Sequence, residues 1–288
     1  MDAVKYNCMS KKKGVILSLS IILVVSALYY LGTNETPNQN SQTGKLAFED
    51  TGDFKVVYGK TKNPKYTEYN ELLKKAHIFE NFTVFLNNVL ILKQDFPIII
   101  QQCDTANAFY SLKDKHIVIC DELLESLFQN FSYIVSPGEE LNNAVSGATF
   151  FIMYHELGHG LIDIYNLPYS GKEEDVADQL ASVVLTGMGE DGPKVAITGA
   201  NYFYITSPQV GEESPFWDEH SLNKQRYYNI LCWVYGSNPQ KFNYFVGTYG
   251  LPEERAARCE YEYKKMFEFW NTALTPYVKA QIKPETNK

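Results

Sequence analysis

"MYHELGHGLIDIYNLPYSGKEEDVADQLAS", Met153 to Ser182, holds two histidines four residues apart, a glutamate beside the first, a Pro-Gly loop and then an acidic cluster. Residues four apart on an α-helix stand one turn above the other on a single face. His155 and His159 can therefore aim ring nitrogens at one ion, and Glu156 can reach a water held there and take its proton. This H-E-x-x-H spacing is that of zinc hydrolytic sites. Such sites need a third protein ligand and an open fourth position. The flanking sequence supports two helices. Asn142 to Tyr165 carries Ala144, Ala148, Phe151, Met153 and Leu157 at apolar positions, and Leu167 to Gly171 ends it. Lys172 to Leu185 follows, with Val176, Leu180 and Val184 on one stripe.

Four acids of the second helix lie near enough to complete the site: Glu173, Glu174, Asp175 and Asp178. A metzincin pattern would require Gly at position 162 and His at 165, where Ile162 and Tyr165 stand, so that class is excluded. In gluzincins the third ligand is a Glu on the following helix, with an Asp four residues later supporting a histidine. Glu174 and Asp178 have this spacing, whereas a start at Glu173 would put Ala177 at the supporting position. Zn2+ is thus expected on His155, His159 and Glu174, with Asp178 accepting the free N–H of a histidine and fixing its tautomer. Asp163, one turn after His159, reads as a helix-end polar residue or a supporting partner. His77 and His116 receive no role.

The rest of the chain bears on compartment. Its 288 residues have 45% apolar and 21% charged side chains, as expected of a packed globule. A net charge of −8 offers no basic field to phosphates, which excludes a nucleic-acid partner. Residues 1–13 end in Lys11, Lys12 and Lys13 and read as a cytoplasmic N-terminus. The uncharged stretch "GVILSLSIILVVSALYYL", residues 14–31, reads as a transmembrane signal anchor or signal peptide. No small-x-small cleavage site follows it, which favours the anchor. The positive-inside rule then places the remaining chain outside the cytoplasm, periplasmic or extracellular, and secreted if the segment is cleaved. Residues 32–50, rich in Asn, Thr and Gln, read as a flexible linker, 51–282 as the folded domain and 283–288 as a frayed tail.

The cysteines fit export. Cys103 and Cys120 bracket segments that read as paired strands, which favours a bridge. Cys232 and Cys259, on two helical segments, form the second pair, and Cys8 is left over.

Strand character appears early, at "FKVVYG" (Phe54 to Gly59), "PIIIQQC" (Pro97 to Cys103), "NAFYS" (Asn107 to Ser111, a third strand or an edge) and "KHIVIC" (Lys115 to Cys120). Tyr69 to Leu92 reads as mostly helical, and Asp121 caps a helical turn. "NKQRYYNILCWVYG" and "PEERAARCEYEYKKMFEFWNTAL" supply later helices. Strands early and helices late indicate an α+β class, with a small sheet and a mostly helical remainder.

The chain resembles a bacterial family of metallopeptidases known mainly as a domain of unknown function, among the zincin-like gluzincins. The likeness covers most of Phe54 to Tyr277. It rests on "CDTANAFY", "HELGH", "EEDVADQLA", "DEHSLNKQR" and "CWVYG". It implies a zincin-like domain and a reaction type, without a substrate. "NAFY" also looks like the edge strand that binds peptide backbone in thermolysin-like enzymes, which would put Asn107 and Ala108 in the cleft.

The expected chemistry is peptide-bond hydrolysis on a peptide or protein substrate, with Glu156 as the base. An oxyanion donor is also needed. His220, beside a helix expected from Ser221, is the first choice, and its place at the helix N-terminus should lower its pKa. Arg226 and Tyr227 are the next candidates for contact with substrate, although Arg226 could equally pair an acid in the core. Two other readings share these ions: an inactive zincin-like binding domain, and a zinc amidase acting on envelope polymers.

Overall fold

The computed structural model describes residues 47–208, 217–248 and 250–279. The expected cytoplasmic N-terminus, the span at 14–31, Cys8 and the tail at 283–288 lie outside the described residues. Among the described residues no helix is long and apolar enough to cross a membrane. The expected linker overlaps the body at 47–50. There the Ala47 amide donates to the Pro276 carbonyl, and Phe48 packs against the rings of Tyr165 and Tyr277. An apolar ring with a buried niche folds in, whatever the polarity of its neighbours.

Four strands form one sheet in the order β1-β2-β4-β3: β1 (Phe54–Tyr58), β2 (Phe96–Gln101), β3 (Ala108–Ser111) and β4 (His116–Cys120). β1, β2 and β4 run parallel, and β3 returns antiparallel along β4 as the edge. In β2 the buried residues Phe96, Ile98 and Ile100 alternate with partly exposed ones, as a pleated strand with one packed face requires. The crossover from β1 to β2 is helical. The single helix expected over Tyr69 to Leu92 is instead two, α1 (Pro64–Ala76) and α2 (Ile78–Val89). His77 between them takes a left-handed conformation (φ 52°, ψ 36°) that ends one helix and starts the other.

After β4 come α3 (Asp121–Ser132), α4 (Glu139–Ile164), α5 (Glu173–Thr186), α6 (Gly192–Ile205), α7 (Asn223–Ser237) and α8 (Glu253–Leu274). α6 was not anticipated from its sequence. The expected α+β class, with a small sheet and a mostly helical remainder, is what the structure has. α4 is the central post: it packs against α3, α5, α6, β3 and β4 and is buried on most of its faces. Two glycines of the HELGHG stretch permit that crowding. A Cβ on Gly158 would lie 2.9 Å from the Ala177 Cα of α5, and one on Gly160 would lie 2.6 Å from the Phe96 ring.

Both expected bridges are present, Cys103–Cys120 at the root of the β3–β4 hairpin and Cys232–Cys259 between α7 and α8. Opening the second by Cys232→Ala with Cys259→Ala should lower stability by about 2–4 kcal/mol, read from urea unfolding. A variant as stable as the parent would show that helix packing alone secures α8.

Candidate metal centre

The contact of Gly158 with Ala177 lets α5 approach α4 closely at the level of the two histidines. His155 Nε2 and His159 Nε2 lie 3.3 Å apart. Glu174, in the first turn of α5, brings Oε2 to 3.1 Å from His155 Nε2 and Oε1 to 3.4 Å from His159 Nε2. Three donor atoms from two helices thus converge on one point, and they could hold a metal ion. A fourth group reaches in from the loop before α7, where His220 Nε2 lies 2.9 Å from Glu174 Oε2. His155, Glu174 and His220 also form a convergent set by distance alone. The pair on α4 is the better anchor, because both its rings project from one buried helix. His220 stands on a loop with its side chain 41% exposed.

A second layer holds these rings. His155 Nδ1 pairs with Asp178 Oδ1 at 2.8 Å, as the i, i+4 spacing from Glu174 suggested. Asp178 is buried and is gripped by Arg226, whose Nε and Nη2 each donate at 2.7 Å to one carboxylate oxygen. The guanidinium lies over the Phe203 ring, 3.7 Å from its centroid. His159 Nδ1 pairs with Glu173 Oε1 at 2.7 Å. Glu173 was weighed as a ligand and its support of the second histidine went unseen, although its place one residue before Glu174 was a usable signal. Lys172, also missed, donates to the carbonyls of Asp218 and His220 and so ties the start of α5 to the His220 loop.

The electrostatics favour a cation. Burial works against charge on His155, but Asp178 and Glu174 outweigh it and push the imidazole up to about 9. His159 is raised in the same way, burial opposing and the Glu174 hydrogen bond prevailing. Burial alone would raise the Glu174 carboxyl; hydrogen bonds from three histidines hold it well below the usual range instead. For Asp178 burial is likewise overcome, by Arg226 first and His155 next. Glu156 goes the other way. Burial pushes its carboxyl up, against the nearby histidines and a hydrogen bond from the Tyr110 backbone. His220 departs from expectation: its hydrogen bond to Glu174 raises its pKa, and α7 begins at Asn223, two residues after Ser221.

A cleft of about 410 Å³ opens onto this cluster, lined among others by Asn107, Ala108, His155, Glu156, His220 and Arg226. The Asn107 carbonyl accepts from the Cys120 amide and so faces β4. By strand alternation the N–H and C=O of Ala108 point the other way, along the free edge. Glu122 fastens the loop before β3 by accepting from the amides of Cys103 and Asp104. Tyr227 is a correction. It is buried, packs against the rings of Tyr204 and Tyr228, and is not among the residues lining the cleft. Its place on the inner face of α7, one residue past Arg226, turns it into the core. Asp163 accepts from the Tyr110 hydroxyl and pairs with Lys115, pinning the hairpin to the end of α4. His77 sits at the α1–α2 joint and His116 at the start of β4, outside the cluster.

The family described as "Putative metallopeptidase" matches residues 58–274, which takes in every element from the end of β1 to the end of α8. The chain belongs to this family. No curated protein and no solved structure matches the chain. Family membership and the convergence of His155, Glu174 and their neighbours agree on a metal-dependent hydrolase.

Glu174→Ala should abolish tight metal binding, measured by competition with a chromogenic chelator. Asp178→Asn should weaken it by about 10–100-fold, as the loss of a supporting partner does. The reverse ranking would make Asp178 the ligand. Arg226→Leu removes one side of a buried ion pair and should lower stability by about 3–5 kcal/mol.

Proposed function

We propose that the protein is a zinc-dependent peptidase, tethered through its N-terminal apolar segment with the catalytic domain outside the cytoplasm. The observation that carries the reading is the 3.1–3.4 Å spacing of His155 Nε2, His159 Nε2 and a Glu174 oxygen. Ligands about 2.0–2.1 Å from a tetrahedral zinc stand roughly 3.3–3.4 Å from one another. Each histidine has its second nitrogen held by a carboxylate, the usual support of zinc-binding imidazoles. Both disulfides fit an oxidising compartment and support the outward placement.

When bound, zinc would supply Lewis acidity toward the scissile carbonyl and the attacking water. The protein's own groups do the rest. Glu156, lining the cleft beside His155, takes the proton of the water as its oxygen bonds to the carbonyl carbon and returns it to the leaving amine as the C–N bond breaks. Burial raises its pKa above that of an ordinary carboxyl. The Tyr110 amide holds its carboxylate in place. His220 Nε2 donates to the developing oxyanion. Asp218 sets that ring by accepting from the His220 amide at 2.8 Å and pairing with Nδ1 at 3.1 Å. The backbone groups of Ala108 that face away from β4, with Asn107 beside them, pair with the substrate main chain as an added strand would. The general base in the cleft argues against an inactive binding domain.

Three substitutions test the assignment in the full-length protein, with zinc read by elemental analysis and hydrolysis by digestion of a mixed peptide library. Glu156→Gln should keep about one zinc per chain and lose hydrolysis. His159→Ala should lose stoichiometric zinc. His220→Ala should keep zinc and lower turnover by about 10²–10³-fold. An active Glu156→Gln enzyme, or full zinc in His159→Ala, would overturn the mechanism.

A further inference from the structure

Glu156, Gly160 and Asp163 stand at i, i+4 and i+7 of α4 and therefore share one face of the helix. Tyr110 of β3 meets that face at all three levels. Its amide donates to the Glu156 carboxylate. Its ring passes Gly160, where a Cβ would lie 3.5 Å from it, and stacks on Phe96 with the two planes 4° apart. Its hydroxyl donates to Asp163 Oδ2 at 2.6 Å. Lys115, in the turn between β3 and β4, pairs with the same oxygen and offsets the charge of this half-sheltered carboxylate.

The other fastenings of the hairpin act elsewhere. The Cys103–Cys120 bridge and the Glu122 carboxylate secure the loop before β3. The ladder to β4 uses the backbone of Asn107 and, by alternation, of Phe109. The N–H of Tyr110 points the other way, toward Glu156. Its height above the carboxylate is therefore left to the Tyr110 side chain. A phenol is a rigid spacer with two side-chain torsions, so holding its hydroxyl on Asp163 also holds the backbone at its other end. Burial first, and the Asp163 carboxylate next, keep the phenol above its ordinary pKa, so the hydroxyl stays a donor. A general base displaced by about 1 Å can lose on the order of 10² in rate, so a tie of this kind bears on turnover.

We propose that Asp163, acting through the Tyr110 hydroxyl, is a positioning residue for the Glu156 base. It sets the distance of β3 from α4 and with it the hydrogen bond from the Tyr110 amide to the carboxylate. The inference rests on the reading of Glu156 as the general base and extends that machinery two turns along α4, to a residue that touches neither metal nor substrate.

The test uses the full-length zinc-loaded protein and one fluorogenic peptide chosen from the library digest. Tyr110→Phe keeps the ring and the amide and removes only the hydroxyl. It should lower kcat by about tenfold, with KM, zinc content and disulfides as in the parent. Asp163→Ala should do the same, and the double variant should be no slower than either single one, because both break one contact. Asp163→Asn still offers an oxygen to the hydroxyl and should keep most of the parental kcat. Amide hydrogen exchange, read at single residues by mass spectrometry, gives a second measure that needs no activity. The Tyr110 amide should exchange at least about tenfold faster in Tyr110→Phe and Asp163→Ala, as it should in Glu156→Ala, while the Phe109 amide on the β4 side stays protected. A parent that cleaves no peptide would remove the peptidase reading, and the exchange comparison would still decide the tie. Parental kcat and parental Tyr110 exchange in Tyr110→Phe, or losses that multiply in the double variant, would overturn the proposal. Loss of protection at Phe109 together with Tyr110 would overturn it as well, since Asp163 would then support the whole hairpin and not the base.

Discussion

The site depends on the close crossing of α4 and α5, where Gly158 meets Ala177. With any larger residue at position 158 the helices would stand further apart. Glu174 could then no longer lie within 3.1–3.4 Å of both imidazoles. The charges follow from that contact. His155, buried, and His159, partly buried, share a small volume with the carboxylates of Glu173, Glu174 and Asp178, and the buried His155 and Asp178 are tolerable there because each has a charged partner. Arg226 completes the arrangement from a third helix, so α7 is committed to the site through the bidentate pair with Asp178.

This arrangement divides the labour between rigid and looser parts. The donors on α4 and α5 project from helices packed on several sides, as a metal site with fixed geometry requires. His220 comes from a loop secured by Lys172 and Asp218 at partly exposed positions. The edge strand β3 is held from three directions: the Cys103–Cys120 bridge, the Glu122 carboxylate and the Asp163 pairings. A strand of only four residues would otherwise be a weak wall for the cleft.

Where the determinants were local, the sequence was readable. The i, i+4 spacings of His155 with His159 and of Glu174 with Asp178 place side chains on one helix face regardless of the rest of the fold, and the structure brings these residues together. Both cysteine pairings were legible from their positions on neighbouring segments. What escaped was set by packing. α6 contains Gly192 and Gly199 and several β-branched residues, a poor helix former by propensity. Its stability comes from close contacts, Gly199 on Phe151 and Gly147 on Thr198. The left-handed turn at His77, which splits α1 from α2, has no strong residue signature. Tyr227 looked available beside Arg226, but one helix position rotates a side chain by about 100°, enough to send it inward. The pKa of His220 was misjudged because the helix end was weighed and the Glu174 carboxylate facing the ring was not.

The sheet order has a mechanical consequence. β1, the first strand of the body, and β3, the rim of the cleft, are the two opposite edges of one sheet. Three strand spacings, about 14 Å, separate them. The segment leading into β1 is laced to Leu92 and Lys93 and to Pro276 and Lys279 by Ala47, Asp50, Thr51 and Gly52. A pull from the N-terminal side would first load these contacts and the parallel pairing of β1 with β2, at the edge of the sheet away from β3. Tension entering at one margin of the sheet is thus kept three strands away from the other margin, where β3 borders the cleft.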